Sequence, residues 1–239
     1  MKTKTILLSI LCFVGITTAT AQSNVWVWKG GRPVKTEMAD SITFTAPASE
    51  NPQVDEPTEV DEPTGPARDL AEASTEDIGM IIGEDGKIYD TKKHAEAAGT
   101  TAVAMIAYVG SDTDHADYKN GLAIALSDES ESNWSTAKSA CEGKANPPGS
   151  KWVLPSRNQW RAMFKATGGS DSSYSGLNEK LSSAGCDSSK LQEYGSYWSS
   201  TEFSPGYSAY YVSIRVGGDA YFIFGDLDII NLGRPCLAF

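Results

Sequence analysis

Two short motifs frame the C-terminal block of the chain, YWSSTE at residues 197–202 and RPCLAF at residues 234–239. The 37 residues from Phe203 to Phe239 contain no Lys, Gln, Glu, Met or Trp, whereas the preceding 37 contain seven such residues. The same block holds four of the ten Tyr and four of the seven Phe. Stiff aromatic side chains give contact area at small entropic cost, so this block indicates a binding face on a rigid scaffold.

Strand-like segments at 197–200, 209–216, 220–224 and 235–239 alternate their side chains between two faces. We expect Tyr210 and one of Phe222 or Phe224 to face inward. The side chains predicted to project outward and bind ligand are Phe203, Ser204, Tyr207, Ser208, Tyr211, Ser213, Arg215, Asp219, Tyr221, Phe222, Ile223, Asp226, Asp228, Ile229, Ile230 and Asn231.

The preceding part of the domain alternates short strands with helices that have recognisable ends. Glu84-Asp85-Gly86 separates two apolar segments and predicts a hairpin. Helices are expected after Thr91, Asn133 and Ser156, with Ser156 opening a capping-box pattern, and another helix is expected to start at Ser175. Strands around a helical middle predict an α+β domain. Four tryptophans are expected to fill its core: Trp134, Trp152, Trp160 and Trp198.

The N-terminal third of the chain predicts a signal for export, a short β element and a linker that precedes the domain. Residues 1–21 have the basic start, apolar centre and small-residue cleavage site of a signal peptide, so we expect a secreted or cell-surface protein. Residues 22–46 predict a short β element. Residues 47–76, with the pentamer VDEPT at 54–58 and again at 60–64, predict an acidic, proline-rich, disordered linker. The domain is then expected to occupy residues 77–239.

The net charge of the chain limits the classes of partner that it is expected to bind. The formal net charge is −11, which disfavours nucleic acids and anionic membranes because like charges repel. No apolar run is long enough to span a bilayer, so membrane insertion is not expected.

Catalysis and metal binding are not expected either. Only two histidines are present, and no Ser-His-Asp or Cys-His arrangement is suggested. The acidic segments at 112–117 and 226–228 lack the ligand pattern of a calcium loop and are interpreted as solvated loops. Cys141, Cys186 and Cys236 are interpreted as small buried apolar residues, with one disulfide as the alternative. We therefore expect no enzyme activity, cofactor or metal.

Four motifs appear in an order that resembles a known family. They are the helix opening at Asn133-Trp134, the segment 152–160 (WVLPSRNQW), the segment 197–202 and a last strand beginning Arg234-Pro235. This series resembles the bacterial domain of unknown function numbered 1566, which includes the C-terminal domain of a Legionella collagen-like adhesin. The resemblance implies a C-type-lectin-like fold of the formylglycine-generating-enzyme subclass over residues 77–239.

The missing residue types sharpen this resemblance. Random NNC codons can never encode Lys, Gln, Glu, Met or Trp, and adenine-directed mutagenesis of AAC codons leaves that signature. Residues 203–233 therefore look like the variable region of a protein diversified by a retroelement. Strands also use fewer charged and flexible residues, so an invariant lectin-like domain is the alternative.

The sequence thus predicts an exported, adhesin-like, non-catalytic protein that binds a protein or glycan on another surface. The first alternative is a structural or tip subunit of a fimbria or surface complex, with residues 24–46 supplying assembly contacts. The second is an enzyme of the formylglycine-generating type, which would need a close pair of active-site cysteines.

Overall fold

The structure is a computed structural model that describes the backbone of residues 26–29 and 32–35 and all of residues 67–239. The chain divides into two compact units, residues 1–58 and 59–239. In the first unit, strands β1 (Trp26–Lys29) and β2 (Arg32–Lys35) form an antiparallel hairpin within the short β element predicted there. The predicted signal peptide, the strand expected at 41–44 and residues 47–66 of the predicted linker lie outside the described residues.

The folded part of the second unit begins earlier than the sequence predicts. Arg68–Asp69 forms strand β3 and pairs with a strand at 87–89, and Leu70 is buried in the core. Two 3₁₀ turns follow at 70–72 and 75–77. The predicted linker boundary at residue 76 is therefore wrong by about ten residues, because Leu70 and the contacts of Arg68 order a segment whose composition is that of a spacer.

The remaining elements of the second unit alternate strands with four helices. The strands are β4 Ile81–Gly83, β5 Lys87–Tyr89, β6 Ala102–Val109, β7 Gly121–Ala125, β8 Glu129–Ser132, β9 Lys151–Val153, β10 Ser196–Ser204, β11 Ser208–Ile214, β12 Ala220–Asp226, β13 Asn231–Gly233 and β14 Cys236–Ala238. The helices are α1 Lys92–Ala97, α2 Trp134–Glu142, α3 Arg157–Ala166 and α4 Ser175–Ser183. Among the described residues, none of the helices has the length and apolar character needed to cross a membrane.

Three helix starts follow their predicted caps, and α4 starts at Ser175 as predicted, without a side-chain cap. Thr91 accepts a hydrogen bond from the His94 amide in α1, and Asn133 accepts one from the Thr136 amide in α2. Ser156 forms the full capping box of α3: its hydroxyl accepts from the Gln159 amide at 3.1 Å and its amide donates to Gln159 Oε1 at 2.7 Å. These contacts satisfy backbone donors that a helix leaves unpaired at its start.

Two sheets organise the second unit. One has seven strands in the order β3-β5-β4-β6-β7-β14-β9, and the other has five in the order β12-β11-β10-β13-β8. All strand pairs are antiparallel except β10 with β13. The described domain is thus mixed α+β and mostly sheet, as predicted.

Helices α3 and α4 pack their apolar residues into the largest core cluster. This cluster joins Trp160 and Phe164 of α3 and Leu177 and Leu181 of α4 to residues of both sheets, including Tyr197 of β10. A second cluster lies against the other face of the seven-stranded sheet, and a third surrounds Trp198, Ala137 and Leu154. The five-stranded sheet is therefore anchored from both sides near β10, while β12 lies at its edge.

Candidate ligand-binding face

The outer strands β10, β11 and β12 form a meander whose last strand is a sheet edge. Register pairs Tyr210 with Phe224 and Val212 with Phe222, so these side chains share one face. Val212 is buried in the core and Phe222 packs against it, whereas Phe224 is 52% exposed. This face therefore runs continuously from the core out to solvent.

A cluster of rings occupies the solvent end of this face. The Phe203 ring stacks on Phe224 with centroids 3.9 Å apart and planes 10° from parallel, and it meets Tyr210 edge-on at 5.5 Å. Phe203 is 49% exposed, so the stack is open to solvent on one side. We call Phe203, Tyr210, Phe222 and Phe224 the aromatic shelf. Such ring pairs gain about 0.5–1.5 kcal/mol beyond their area burial, which keeps exposed rings in a defined arrangement.

Two arginines of α3 lie over the inner part of the aromatic shelf. The Arg157 guanidinium carbon is 4.4 Å from the Tyr210 centroid and 5.6 Å from that of Phe222. The Arg161 guanidinium carbon is 5.1 Å from the Phe222 centroid. All three distances fall within the range of cation–π attraction, so the shelf carries local positive charge although the chain as a whole is acidic.

Three indole groups fix β10 and its neighbours beneath this face. Trp134 Nε1 donates to the Ser199 carbonyl at 2.8 Å, Trp198 Nε1 to the Ser132 carbonyl at 3.0 Å and Trp160 Nε1 to the Trp198 carbonyl at 3.3 Å. Trp160 and Trp198 are fully buried, as predicted for core residues. Buried rings with satisfied donors specify one backbone arrangement, so the shelf is presented by a rigid support.

The reverse face of β12 carries a second set of exposed apolar side chains. Tyr221 and Ile223 lie on this face, and the Ile229 side chain is close enough to Gly225 that a Cβ there would meet it at 2.6 Å. Ile230 beside it is exposed. The predicted site residues are therefore divided between two faces of one edge strand.

The structure separates the sixteen predicted site residues by exposure. Exposed are Phe203, Tyr207, Arg215, Asp219, Tyr221, Ile223, Asp226, Asp228, Ile229 and Ile230; half-buried are Ser204, Tyr211 and Phe222; buried are Ser208, Ser213 and Asn231. The outward projection predicted for the last three is wrong. Strand β11 is covered on both faces, by the Val212 core on one side and the Trp198 cluster on the other, and Asn231 starts an internal strand.

Of Phe222 and Phe224, one of which was expected to face inward, Phe222 is half-buried against the core and Phe224 is exposed. Sequence reasoning missed two residues that define the face. Arg157 and Arg161 lie outside the C-terminal block and reach it only through the packing of α3. Their spacing of four residues on one helix face was the available signal.

An open cleft of about 1080 Å³ adjoins Arg161. Arg161 contributes to both the cleft and the shelf. The other residues lining the cleft are Tyr108, Ser111, Asp112, Asp114, His115, Ala116, Lys119, Asn158, Ala162, Lys165, Ala166 and Asp171. Asp114 accepts a hydrogen bond from the Ser156 hydroxyl at 2.5 Å, and Asp171 pairs with Lys165 at 2.9 Å. The acidic segment 112–117 therefore forms part of a cleft wall.

The three cysteines predicted to be small buried residues are buried and free. Burial raises the pKa of the Cys141 thiol to about 12 and also raises the pKa of the Cys186 and Cys236 thiols. A thiol with a raised pKa is protonated at neutral pH and is a poor nucleophile. Among the described residues, no group of three or more His, Cys, Asp or Glu side chains could hold a metal ion.

Comparison with known proteins gives a likeness in fold. No family model matches the chain, and no curated protein matches it. A solved structure that does match is the crystal structure of a fimbrial protein from Bacteroides ovatus ATCC 8483, with a TM-score of 0.51 and 15% identity over 68% of this chain. The match covers 48% of the fimbrial protein, so this chain spans about half of its length. At this identity the likeness concerns the fold alone.

Proposed function

We propose that this chain is an exported, non-catalytic adhesive subunit of a fimbria or similar surface assembly. The observation that carries the proposal is the solvent-exposed stack of Phe203 on Phe224 at the edge of a braced sheet. Exposed, pre-positioned rings favour binding because little side-chain freedom is lost when a ligand covers them. The ligand is a protein or glycan on another surface.

The scaffold of this subunit is proposed to be C-type-lectin-like, with a C-terminal region diversified by a retroelement. The order of the four sequence motifs and the restricted alphabet of residues 203–233 support this proposal. Sequencing the gene tests it, since codons for the exposed residues should mostly end in C and a reverse transcriptase with a template repeat should lie nearby. Codons with no such bias would rule out diversification and leave an invariant binding domain.

Assembly into a surface structure is proposed from two observations. The fold resembles that of a protein described as fimbrial, and an antiparallel hairpin lies within the first of the two units into which the chain divides. Deletion of residues 22–46 is expected to abolish incorporation into surface fibres, seen by immunogold electron microscopy, while ligand binding persists. Fibres that still contain the shortened protein would show that the hairpin is not required for assembly.

Ligand binding is tested with the full chain on glycan and protein arrays. Replacement of both Phe203 and Phe224 by Ala should abolish the array signals, because the ring stack supplies the contact area. The matched control is Tyr221→Ala, which removes an exposed ring from the reverse face of the same strand. Thermal unfolding should show that both variants remain folded.

Two array results would contradict the proposal. Binding that persists in the double variant but disappears in Tyr221→Ala would place the ligand on the reverse face of β12. An array on which the folded wild-type chain binds nothing, glycan or protein, would argue that the chain is a purely structural subunit.

A further inference from the structure

The side chains of Arg157 and Arg161 form a charged pair on one face of α3. Their guanidinium groups lie within 5.6 Å and 5.1 Å, respectively, of the same ring centroid, that of Phe222. Two like charges four residues apart on a helix destabilise it by a few tenths of a kcal/mol. Stacking on Tyr210 and Phe222 offsets this repulsion and holds both groups at the edge of the aromatic shelf.

Neither guanidinium is neutralised by a carboxylate of the described residues. The Nε atoms of Arg157 and Arg161 are buried without a hydrogen-bond partner there. By contrast, Arg68 pairs with Asp77 and Arg234 pairs with Asp128. The chain has 31 acidic and 20 basic residues, so carboxylates are abundant, yet this pair has none.

Two carboxylates that line the same cleft as Arg161 have other partners. Asp114 accepts a hydrogen bond from Ser156, and Asp171 pairs with Lys165. A buried donor without a partner costs about 1–3 kcal/mol, and more when it is charged. An external oxyanion would pair with the outer Nη donors of these half-buried side chains, because a guanidinium donates two parallel hydrogen bonds to a planar or tetrahedral oxyanion.

We propose that Arg157 and Arg161 bind the acidic group of a sugar whose ring packs on Phe203 and Phe224. The inference rests on the proposed adhesive function and names its ligand class, a glycan bearing a carboxylate or sulfate ester. The flat, exposed ring stack fits the C–H face of a sugar ring, while the arginines lie beside it. The net charge of −11 repels highly charged polyanions but leaves this local positive site for a single acidic group.

The binding experiment uses the full chain and four probes: sialyllactose, sulfated lactose, neutral lactose and a hexaglutamate peptide. Wild type is expected to bind at least one acidic sugar roughly tenfold more tightly than lactose, and added salt should reduce this preference. Comparing the sialylated and sulfated probes distinguishes a carboxylate from a sulfate ligand. Isothermal titration calorimetry gives the dissociation constants.

Substitutions test whether the two arginines cause the preference for acidic sugars over lactose. Arg157→Gln together with Arg161→Gln should bring binding of the acidic sugars down to that of lactose, while Lys replacements at both positions should restore part of it. The matched control joins Lys87→Gln and Lys93→Gln, which removes two exposed positive charges outside both the shelf and the cleft and should leave the preference intact. Melting temperatures identify any variant that fails to fold. If the Gln pair does not fold, the double Lys variant is tested instead, because it retains both positive charges but lacks the planar guanidinium group.

Several outcomes would overturn the inference. The wild-type chain could bind lactose and both acidic sugars with equal affinity, or the preference for acidic sugars could survive the double Gln substitution. It could also bind hexaglutamate but no sugar, or bind none of the four probes. The proposed function fails separately, when array signals do not depend on Phe203 and Phe224. Neutral ligands that require those rings but show no acidic preference would refute this inference and leave the adhesive function standing.

Discussion

Arg234 connects the two sheets through a buried set of polar contacts. Its Nη1 donates to the carbonyls of Ala125 at 2.7 Å and Ser189 at 3.0 Å, and its Nε pairs with Asp128. The Tyr197 hydroxyl reaches the same carboxylate at 3.4 Å, and burial raises the pKa of that tyrosine. A buried guanidinium is tolerated only when its donors are satisfied, so each partner of Arg234 contributes to folding.

Asp128→Asn is expected to destabilise the domain by about 3–5 kcal/mol, because it leaves the Arg234 charge buried without its anion. Urea unfolding monitored by tryptophan fluorescence measures the loss. The control is Lys92→Gln, which breaks an exposed pair within α1 and should cost no more than about 0.5 kcal/mol. Equal midpoints for the two variants would show that the buried pair contributes no more than a surface pair.

At the residue scale, the sequence predicted those features that depend on local chemistry. The buried tryptophans and cysteines follow from residue type, and four of the eight aromatic residues between Phe203 and Phe239 are exposed. Burial of Ser208 and Ser213 could not be predicted, because a small polar residue is compatible with either face of a strand. The positions of Arg157 and Arg161 depend on where α3 packs, which no local pattern encodes.

The segment containing β3 and the two 3₁₀ turns shows how one ion pair orders an element. Asp77 is buried, its carboxylate accepts hydrogen bonds from the Arg68 guanidinium, and it accepts another from the Ser74 amide at 2.7 Å. Burial alone would raise the pKa of Asp77, but these hydrogen bonds outweigh it and lower the pKa. The ionised form is therefore the one that the fold stabilises.

This segment is expected to loosen in acid. Because the pKa of Asp77 is lower in the folded state, its contribution is complete above the unfolded-state pKa of roughly 4 and is lost as pH falls through the folded-state pKa. Asp77→Asn should cost about 1–3 kcal/mol at neutral pH and should flatten this part of the stability curve. Hydrogen exchange of residues 68–80, followed between about pH 6 and pH 2, measures the stability of this segment. If the stability of the mutant fell with pH in parallel with that of wild type, Asp77 would not be the source of the pH dependence.

At the element scale, helices with caps and long apolar strands were predictable, and four short strands were not, the two-residue β3 among them. Strand β8 is the segment ESES, which has no strand-like apolar pattern, and it forms by pairing Ser132 with Asn231. Strands β9 and β13 have three residues each and likewise exist through their partners. Tertiary pairing overrides local preference in such segments.

At the scale of the whole molecule, the last strand of the chain is an internal strand of the seven-stranded sheet. Strand β14 pairs with β7 on one side and β9 on the other, and its three residues are fully buried. The Phe239 carbonyl accepts from the amides of Asn120 and Gly121. The block that carries the shelf is therefore fixed at its far end inside the larger sheet, which is how an exposed edge can be held by a rigid core.

Removal of residues 236–239 is expected to abolish cooperative folding of the second unit. The deletion leaves two strands without their shared partner and opens the core on both faces, at a cost comparable to the whole stability of a domain, about 5–15 kcal/mol. Deletion of residues 22–58, which cluster as a separate unit, should leave the melting temperature nearly unchanged. Far-UV circular dichroism and limited proteolysis compare the two deletions with the full chain. A C-terminal deletion that still melts cooperatively would mean that β7 and β9 can pair without β14, and the shelf would then not depend on closure of the seven-stranded sheet.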